Sequence, residues 1–326
     1  MTTYKEIFGK YVKNYSSDPS SDIEGQIWYN STSGTFKTQL FVAAAWASGG
    51  ALTTGRRGIG SAGTQTVGLG FGGSIPGGVT AATEEYNGTS WGPGGNLGTS
   101  RYIMGGCGTQ TSGLGFGGYR PSSSGGPTHS NLTEEYNGST WAGGGNLGTG
   151  RNAVGGAGTQ TAGLAIGGTA APGITTATEE YDGAAWTAGG NLPAARATSG
   201  EAGIQTSALA FGGTITGGVQ TNTSVEYDGT SWTAGGNMNT TRTSLAGAGT
   251  QTAALGFGGY ATAATGATES YDGSSWTNST NLATARLNLG GVGTQTDALA
   301  FGGAAYLTTT EEFTGALSPV RTITTS

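Results

Sequence analysis

Residues Arg101–Gly118, RYIMGGCGTQTSGLGFGG, followed by Thr133–Trp141, TEEYNGSTW, decide the fold, because the chain writes this unit six times. Each copy opens on an arginine: Arg56, Arg101, Arg151, Arg196, Arg242 and Arg286. A G-x-Q-T turn follows, with Gln65, Gln110, Gln160, Gln205, Gln251 and Gln295. Next come x-x-L-x-[FI]-G-G, a loop of varying length, and [TS]-[EV]-[ES]-[YF]. The tryptophans are Trp46, Trp91, Trp141, Trp186, Trp232 and Trp276, at spacings of 45, 50, 45, 46 and 44 residues. A period of about 40 to 50 residues with turn signals inside every unit predicts blades around an axis.

Four short strands fit each copy. Small residues dominate the first (RYIMGGCG), as expected of a strand at a crowded axis. The second alternates large with small, as in Leu114-Gly115-Phe116 and Leu209-Ala210-Phe211, so that neighbouring blades nest. TEEY supplies the third strand. Asn-Gly or Asp-Gly (Asn87-Gly88, Asp182-Gly183) then marks a hairpin turn into the Trp strand. The last copy reaches Glu311-Glu312-Phe313 without a Trp strand, whereas Trp46 precedes every copy. Placing the Trp46 strand (roughly Leu40–Gly49) beside Glu311–Phe313 closes the ring. The expectation is an all-β, six-bladed β-propeller whose last blade mixes N- and C-terminal strands.

Gly fills 67 of 326 positions, but charged residues are only 10%, and the aromatics recur on schedule. The glycine therefore reads as turn chemistry and close packing rather than disorder. Net charge is −6 and all four lysines (Lys5, Lys10, Lys13, Lys37) lie in the first 40 residues, leaving no basic stripe for nucleic acid. No apolar run reaches the length of a membrane span, and the opening residues lack a signal-peptide core. One Cys precludes an internal disulfide. The expected domains are an attachment segment over 1–36, the propeller over 37–321 and a tail over 322–326.

Gly-Gly after a strand, then Tyr, then Trp, then Arg ten residues on, resembles the Kelch repeat over roughly residues 40 to 321. The abundance of Gly and Thr and the recurrent GTQT turn depart from that pattern. The near-identical copies resemble Kelch-like propellers encoded by marine bacteriophages. Glu24–Lys37, EGQIWYNSTSGTFK, resembles a short β-hairpin near the start of phage tail-fibre and other virion proteins. The resemblance implies a virion protein, assembled in the host cytoplasm and present in multiple copies per particle. Its implied partners are other virion proteins and a host surface glycan or protein. A fold alone implies only a scaffold with loops.

Redox and metal chemistry of the galactose-oxidase kind needs several converging His, Tyr and Cys side chains, whereas this chain has one His (His129) and one Cys (Cys107). No metal or other cofactor is expected. Cys107 stands where other copies carry Ala or Val, which makes it a packing residue. Sialidases gather arginines asymmetrically, whereas these obey the repeat; they are expected to pair with carboxylates or cap carbonyls between blades. Adjacent members of the Glu pairs (Glu84-Glu85, Glu134-Glu135, Glu179-Glu180, Glu311-Glu312) point to opposite strand faces and do not converge for acid–base work.

Positions that break the symmetry are the candidates for function. The longest connection, Tyr119–Leu132, holds Tyr119, Arg120 and His129, while Tyr260 and Tyr306 follow the Gly-Gly of other copies. These five form the candidate ligand site. Glu201 and Asp297 are further outliers. Tyr4, Phe8, Tyr11, Tyr15, Trp28 and Tyr29 are the candidates for attachment to the particle. The leading expectation is a non-enzymatic tail-fibre or appendage component. A purely structural capsid or neck decoration (a cement protein) and a glycan-active enzyme are the alternatives.

Overall fold

The computed structural model describes residues 12–19, 26–121, 128–317 and 320–323. Strands and turns make up the described residues, and no helix occurs among them. The chain divides into two compact units. One is Trp46–Thr314, and the other combines the residues up to Ala45 with those from Gly315 onward. These boundaries differ from the expected ones at 36/37 and 321/322. The reason is strand pairing: Lys37, Thr38 and Gln39 lie opposite Thr322, Arg321 and Val320, and Val42 bridges Leu317.

The larger unit repeats one four-stranded sheet. In the second copy Gly105–Thr109, Ser112–Phe116, Thr133–Tyr136 and Trp141–Gly143 follow one another with antiparallel neighbours. Among the described residues this order recurs in six sheets, and the sixth takes its fourth strand from the other end of the chain. There Gly290–Gly293, Asp297–Phe301 and Thr310–Thr314 are joined by Ala45–Gly49, the strand of Trp46. The arrangement fits a propeller-like β fold.

First strands of successive sheets pack together, and that of the sixth packs on that of the first. Glycine makes this possible, since a methyl group at Gly106 would stand 2.7 Å from the carbonyl oxygen of Ser61 in the neighbouring strand. Just before each first strand lies a residue with φ between 50° and 61°: Gly58, Ile103, Ala153, Thr198, Ser244 and Asn288. For the non-glycine residues this conformation costs roughly 1–2 kcal/mol apiece. It is held by hydrogen bonding from copy to copy. Ile103 N–H donates to Gly58 O (2.8 Å), Ala153 to Ile103 (2.8 Å) and Thr198 to Ala153 (3.1 Å). Ser244 donates to Thr198 (2.8 Å), Asn288 to Ser244 (2.9 Å) and Gly58 to Asn288 (2.7 Å), so the series returns to its start.

Side chains bind each sheet to the one before it. Trp141 packs on Phe71 with centroids 4.7 Å apart, and its Nε1 donates to Thr83 Oγ1 at 3.0 Å. Gln110 Nε2 donates to the carbonyls of Gly68 and Tyr86 at 2.9 and 2.7 Å. Trp46 keeps the same relation with the fifth sheet, stacking on Phe257 at 5.1 Å and donating to Thr268 Oγ1 at 3.2 Å.

In the smaller unit, Ile27–Asn30 and Thr35–Gln39 form an antiparallel hairpin. Lys13–Tyr15 lies parallel to the first of these strands and Val320–Thr322 antiparallel to the second. Asn30 Oδ1 fixes the turn by accepting the N–H groups of Thr32 and Ser33 at 3.1 and 3.0 Å. Asp18 accepts from Trp28 Nε1, Asn30 Nδ2 and Lys37 Nζ at 3.3, 2.7 and 2.8 Å.

Candidate functional site

Most charged groups of the larger unit are consumed by its framework. Five of the six repeat arginines are fully buried and pair with the first glutamate of the third strand. The pairs are Arg56–Glu84 and Arg101–Glu134 (each 2.8 Å), Arg151–Glu179 (2.6 Å), Arg242–Glu269 (3.1 Å) and Arg286–Glu311 (2.6 Å). Each arginine also caps carbonyls of its own sheet, as Arg101 does for Gly117 and Leu132. The pairing therefore lies within sheets rather than between them. The second glutamate works on the opposite face, where it accepts a tyrosine hydroxyl from the following sheet. Tyr136 to Glu85 and Tyr181 to Glu135 both measure 2.6 Å.

The first strands of all six sheets line a cavity of about 220 Å³. Its wall is mostly Gly and Ala, with Glu201 as its carboxylate. Glu201 belongs to a linked set of departures from the repeat. Elsewhere a sheet's own phenylalanine covers the first strand, as Phe116 covers Gly105; the third sheet has the shorter Ile166 instead. Glu201 of the fourth sheet fills that space over Gly155 and accepts a hydrogen bond from Ser199 Oγ at 2.7 Å. Val225 stands where other copies place the partner of the arginine, so Arg196 turns to Thr223 Oγ1 at 2.8 Å. Burial pushes the Glu201 carboxyl up to about 8, with Ser199 and Arg196 opposing. Cys107 faces the same cavity, and burial raises its thiol to about 12. Asp297 opens a second strand at the Thr294–Asp297 turn, exposed and away from this cavity. Among the described residues no group of three or more His, Cys, Asp or Glu converges on a metal position.

The two ends of the sheets differ in kind. At one end the G-x-Q-T and Asx-Gly turns lie side by side and vary little, as the contact between Gly183 and Thr161 shows. At the other end the residue after each repeat arginine pairs with the residue after each Gly-Gly, as in Tyr102 with Tyr119 and Asn152 with Thr169. Here the copies diverge: the first set reads Arg57, Tyr102, Asn152, Ala197, Thr243 and Leu287.

Divergence on this end builds a continuous strip. Tyr119 pairs with His129, and Arg120 with Thr128. The Tyr119 ring meets Tyr102 edge-on at 5.3 Å and His129 at 6.1 Å. Asn152 Nδ2 lies 3.0 Å from His129 Nδ1, within hydrogen-bonding distance. On the other side, burial raises the Tyr102 hydroxyl above its usual range, together with the fields of Tyr119 and Tyr306, against that of Arg57. Arg57 lies over the Tyr306 ring at 5.3 Å. Tyr306 and Ala305 are themselves left-handed, at φ 55° and 63°.

Four of the five candidate ligand residues thus lie along one strip. Tyr260 occupies the place equivalent to Tyr119 three sheets onward, where it bridges Thr243 and stands 38% exposed. Sequence reasoning missed Arg57, Tyr102 and Asn152, although aligning the copies at the residue after the arginine would have exposed all three. Of the attachment candidates, Trp28 is buried at 1% exposure, and Tyr29 packs on Phe36 at 5.3 Å. Tyr15 is half-buried opposite Asn30. Tyr4, Phe8 and Tyr11 lie outside the described residues. No protein-family model and no curated protein matches this chain.

Proposed function

We propose that the larger unit is a six-bladed, Kelch-like β-propeller serving as a non-enzymatic binding scaffold on a phage particle, as a tail-fibre or appendage component. The observation that carries this reading is where the copies agree and where they do not. Hydrogen bonds that join one sheet to the next repeat almost without change, and the peptide series through Gly58 and Asn288 returns to its start. Variation gathers at one end, on loops held by that rigid framework. A surface that diverges while its scaffold is preserved is the pattern of recognition rather than of symmetric packing.

Association with a particle is supported by the resemblance of Glu24–Lys37 to a virion hairpin. Within that stretch Ile27–Asn30 and the strand from Thr35 form one sheet with Lys13–Tyr15 and Val320–Thr322. Host surface glycan or protein is the ligand of the variable end, and many copies per particle would multiply weak single contacts. The test is adsorption of the purified full chain to host cells. Adsorption is expected, and it should fall at least tenfold when Tyr102 and Tyr119 are both changed to Ala. Adsorption unaffected by that double change removes the variable end as the binding surface. Absence of adsorption altogether favours a purely structural decoration of capsid or neck.

A further inference from the structure

We infer that the strip Tyr306–Arg57–Tyr102–Tyr119–His129–Asn152 takes an acidic glycan, a saccharide bearing uronic-acid carboxylates. The inference rests on the binding role proposed above and names its ligand class.

Charge is the first argument. The chain is acidic overall, yet among the described residues of the larger unit the carboxylates lie buried beneath this surface or away from it. At the variable end the glutamates facing the repeat arginines are buried, from 1% to 9% exposed. Exposed aspartates lie at the opposite end, in the turns of Asp182, Asp228 and Asp272, where each carboxylate accepts two backbone N–H groups. Arg57 and Arg120, by contrast, make no ion pair with any described residue. Arg57 lies over Tyr306 and Arg120 Nε donates to Thr128 Oγ1 at 3.1 Å. A guanidinium that is half-exposed and lacks a carboxylate is an available fork for an anionic oxygen pair. Cations at one end and anions at the other also orient an approaching polyanion.

Shape and chemistry supply the second argument. The rings of Tyr306, Tyr102 and Tyr119 form a row of half-buried aromatic surfaces with polar tips. Such rings offer apolar faces to the C–H side of a pyranose while their hydroxyls meet its own. Asn152 holds the His129 ring through Nδ1, 3.0 Å away, and so orients it beside Tyr119. Left-handed backbone at Ala305 and Tyr306 presents the Tyr306 ring against Arg57 at a local cost. Nucleic-acid bases also stack on aromatic rings, but the net charge of −6 disfavours a nucleic acid.

Affinity electrophoresis of the full chain tests this with three named probes: alginate (a polyuronate), dextran (a neutral polysaccharide) and poly-glutamate (a carboxylate polymer without sugar). Retardation by alginate alone is expected, weakening as salt is raised. Arg57→Gln should reduce alginate affinity about tenfold, as should Tyr119→Ala, while Asp228→Asn at the opposite end leaves it unchanged. Thermal melting of Arg57→Gln checks that the fold survives; Arg57→Lys, which keeps the charge but loses the fork, is the second variant and should show an intermediate loss. Equal retardation by poly-glutamate or by dextran overturns the inference. So does alginate binding that Arg57→Gln and Tyr119→Ala both leave intact. If no polysaccharide retards the chain but host cells still adsorb it, the acidic-glycan inference fails and the binding role stands. If neither occurs, both fail.

Discussion

Phe313 and Ser270 depart from the repeat together. Wherever else the framework is complete, a tyrosine hydroxyl of one sheet donates to a glutamate of the sheet before it, as Tyr136 does to Glu85 at 2.6 Å and Tyr271 to Glu226 at 2.6 Å. The sixth sheet has Phe313 in place of the tyrosine, and the fifth has Ser270 in place of the glutamate. Loss of the donor coincides with loss of the acceptor, because a buried hydrogen-bonding group left alone costs more than a pair removed.

That coincidence sets a double-mutant cycle at Tyr136 and Glu85. Tyr136→Phe should cost about 1–2 kcal/mol, since the hydroxyl also accepts from the Gly95 N–H. Adding Glu85→Ser should cost less than the two single losses summed, with a coupling of about 1 kcal/mol in denaturant titrations. Strict additivity would remove the junction as a coupled pair.

The arginine–glutamate pairs make a second case. Glu134→Val leaves the buried Arg101 without its carboxylate and should destabilise by about 3 kcal/mol or more. The fourth sheet has lived with this loss at Val225. Val225→Glu in that sheet should therefore raise the melting temperature, whereas Glu134→Val lowers it, and differential scanning calorimetry reads both.

Glu201 gives a pH dependence of definite sign. Its folded value near 8 lies above the ordinary 4.5, so the neutral acid is the form that suits the fold. Its contribution is complete below about pH 4.5 and is lost as pH rises toward 8. Glu201→Gln should flatten the melting temperature across that interval and raise it by roughly 2–4 °C at the alkaline end. An unchanged pH profile would exclude the carboxyl as its source.

Five tyrosines act in the opposite range. Burial and their glutamates push Tyr86, Tyr136, Tyr181, Tyr227 and Tyr271 to about 12. An unfolded chain ionises its tyrosines near 10, so stability should fall between about pH 10 and 12. Ultraviolet titration should show these five ionising only with loss of structure.

The repeat made the sheets legible. Four strands per copy, the place of the Trp46 strand and the turn chemistry all follow from spacing and residue type. Cross-sheet bonding was less accessible: Gln110 reads as a turn residue, yet it reaches two carbonyls of the previous sheet. Only the fold shows that Ile166, Glu201 and Val225 answer one another, because their partners belong to different copies. The strip was half legible. Tyr119, Arg120 and His129 stand out by loop length, whereas Tyr102 hides beside an invariant arginine and is joined to Tyr306 only by the approach of two sheet ends. The borders of the small unit are not legible in the sequence, because Val320–Thr322 returns to a hairpin almost a whole chain away.

The shared sixth sheet also governs how this protein is made. A ribosome releases Ala45–Gly49 before every other strand of these six sheets and Thr310–Thr314 after all of them, although the two become neighbours. The early strand must wait, unpaired, while five sheets assemble behind it. Its union with the late strand is thus a quality check on translation, since a prematurely terminated polypeptide keeps a raw strand edge that solvent, chaperones and proteases can find.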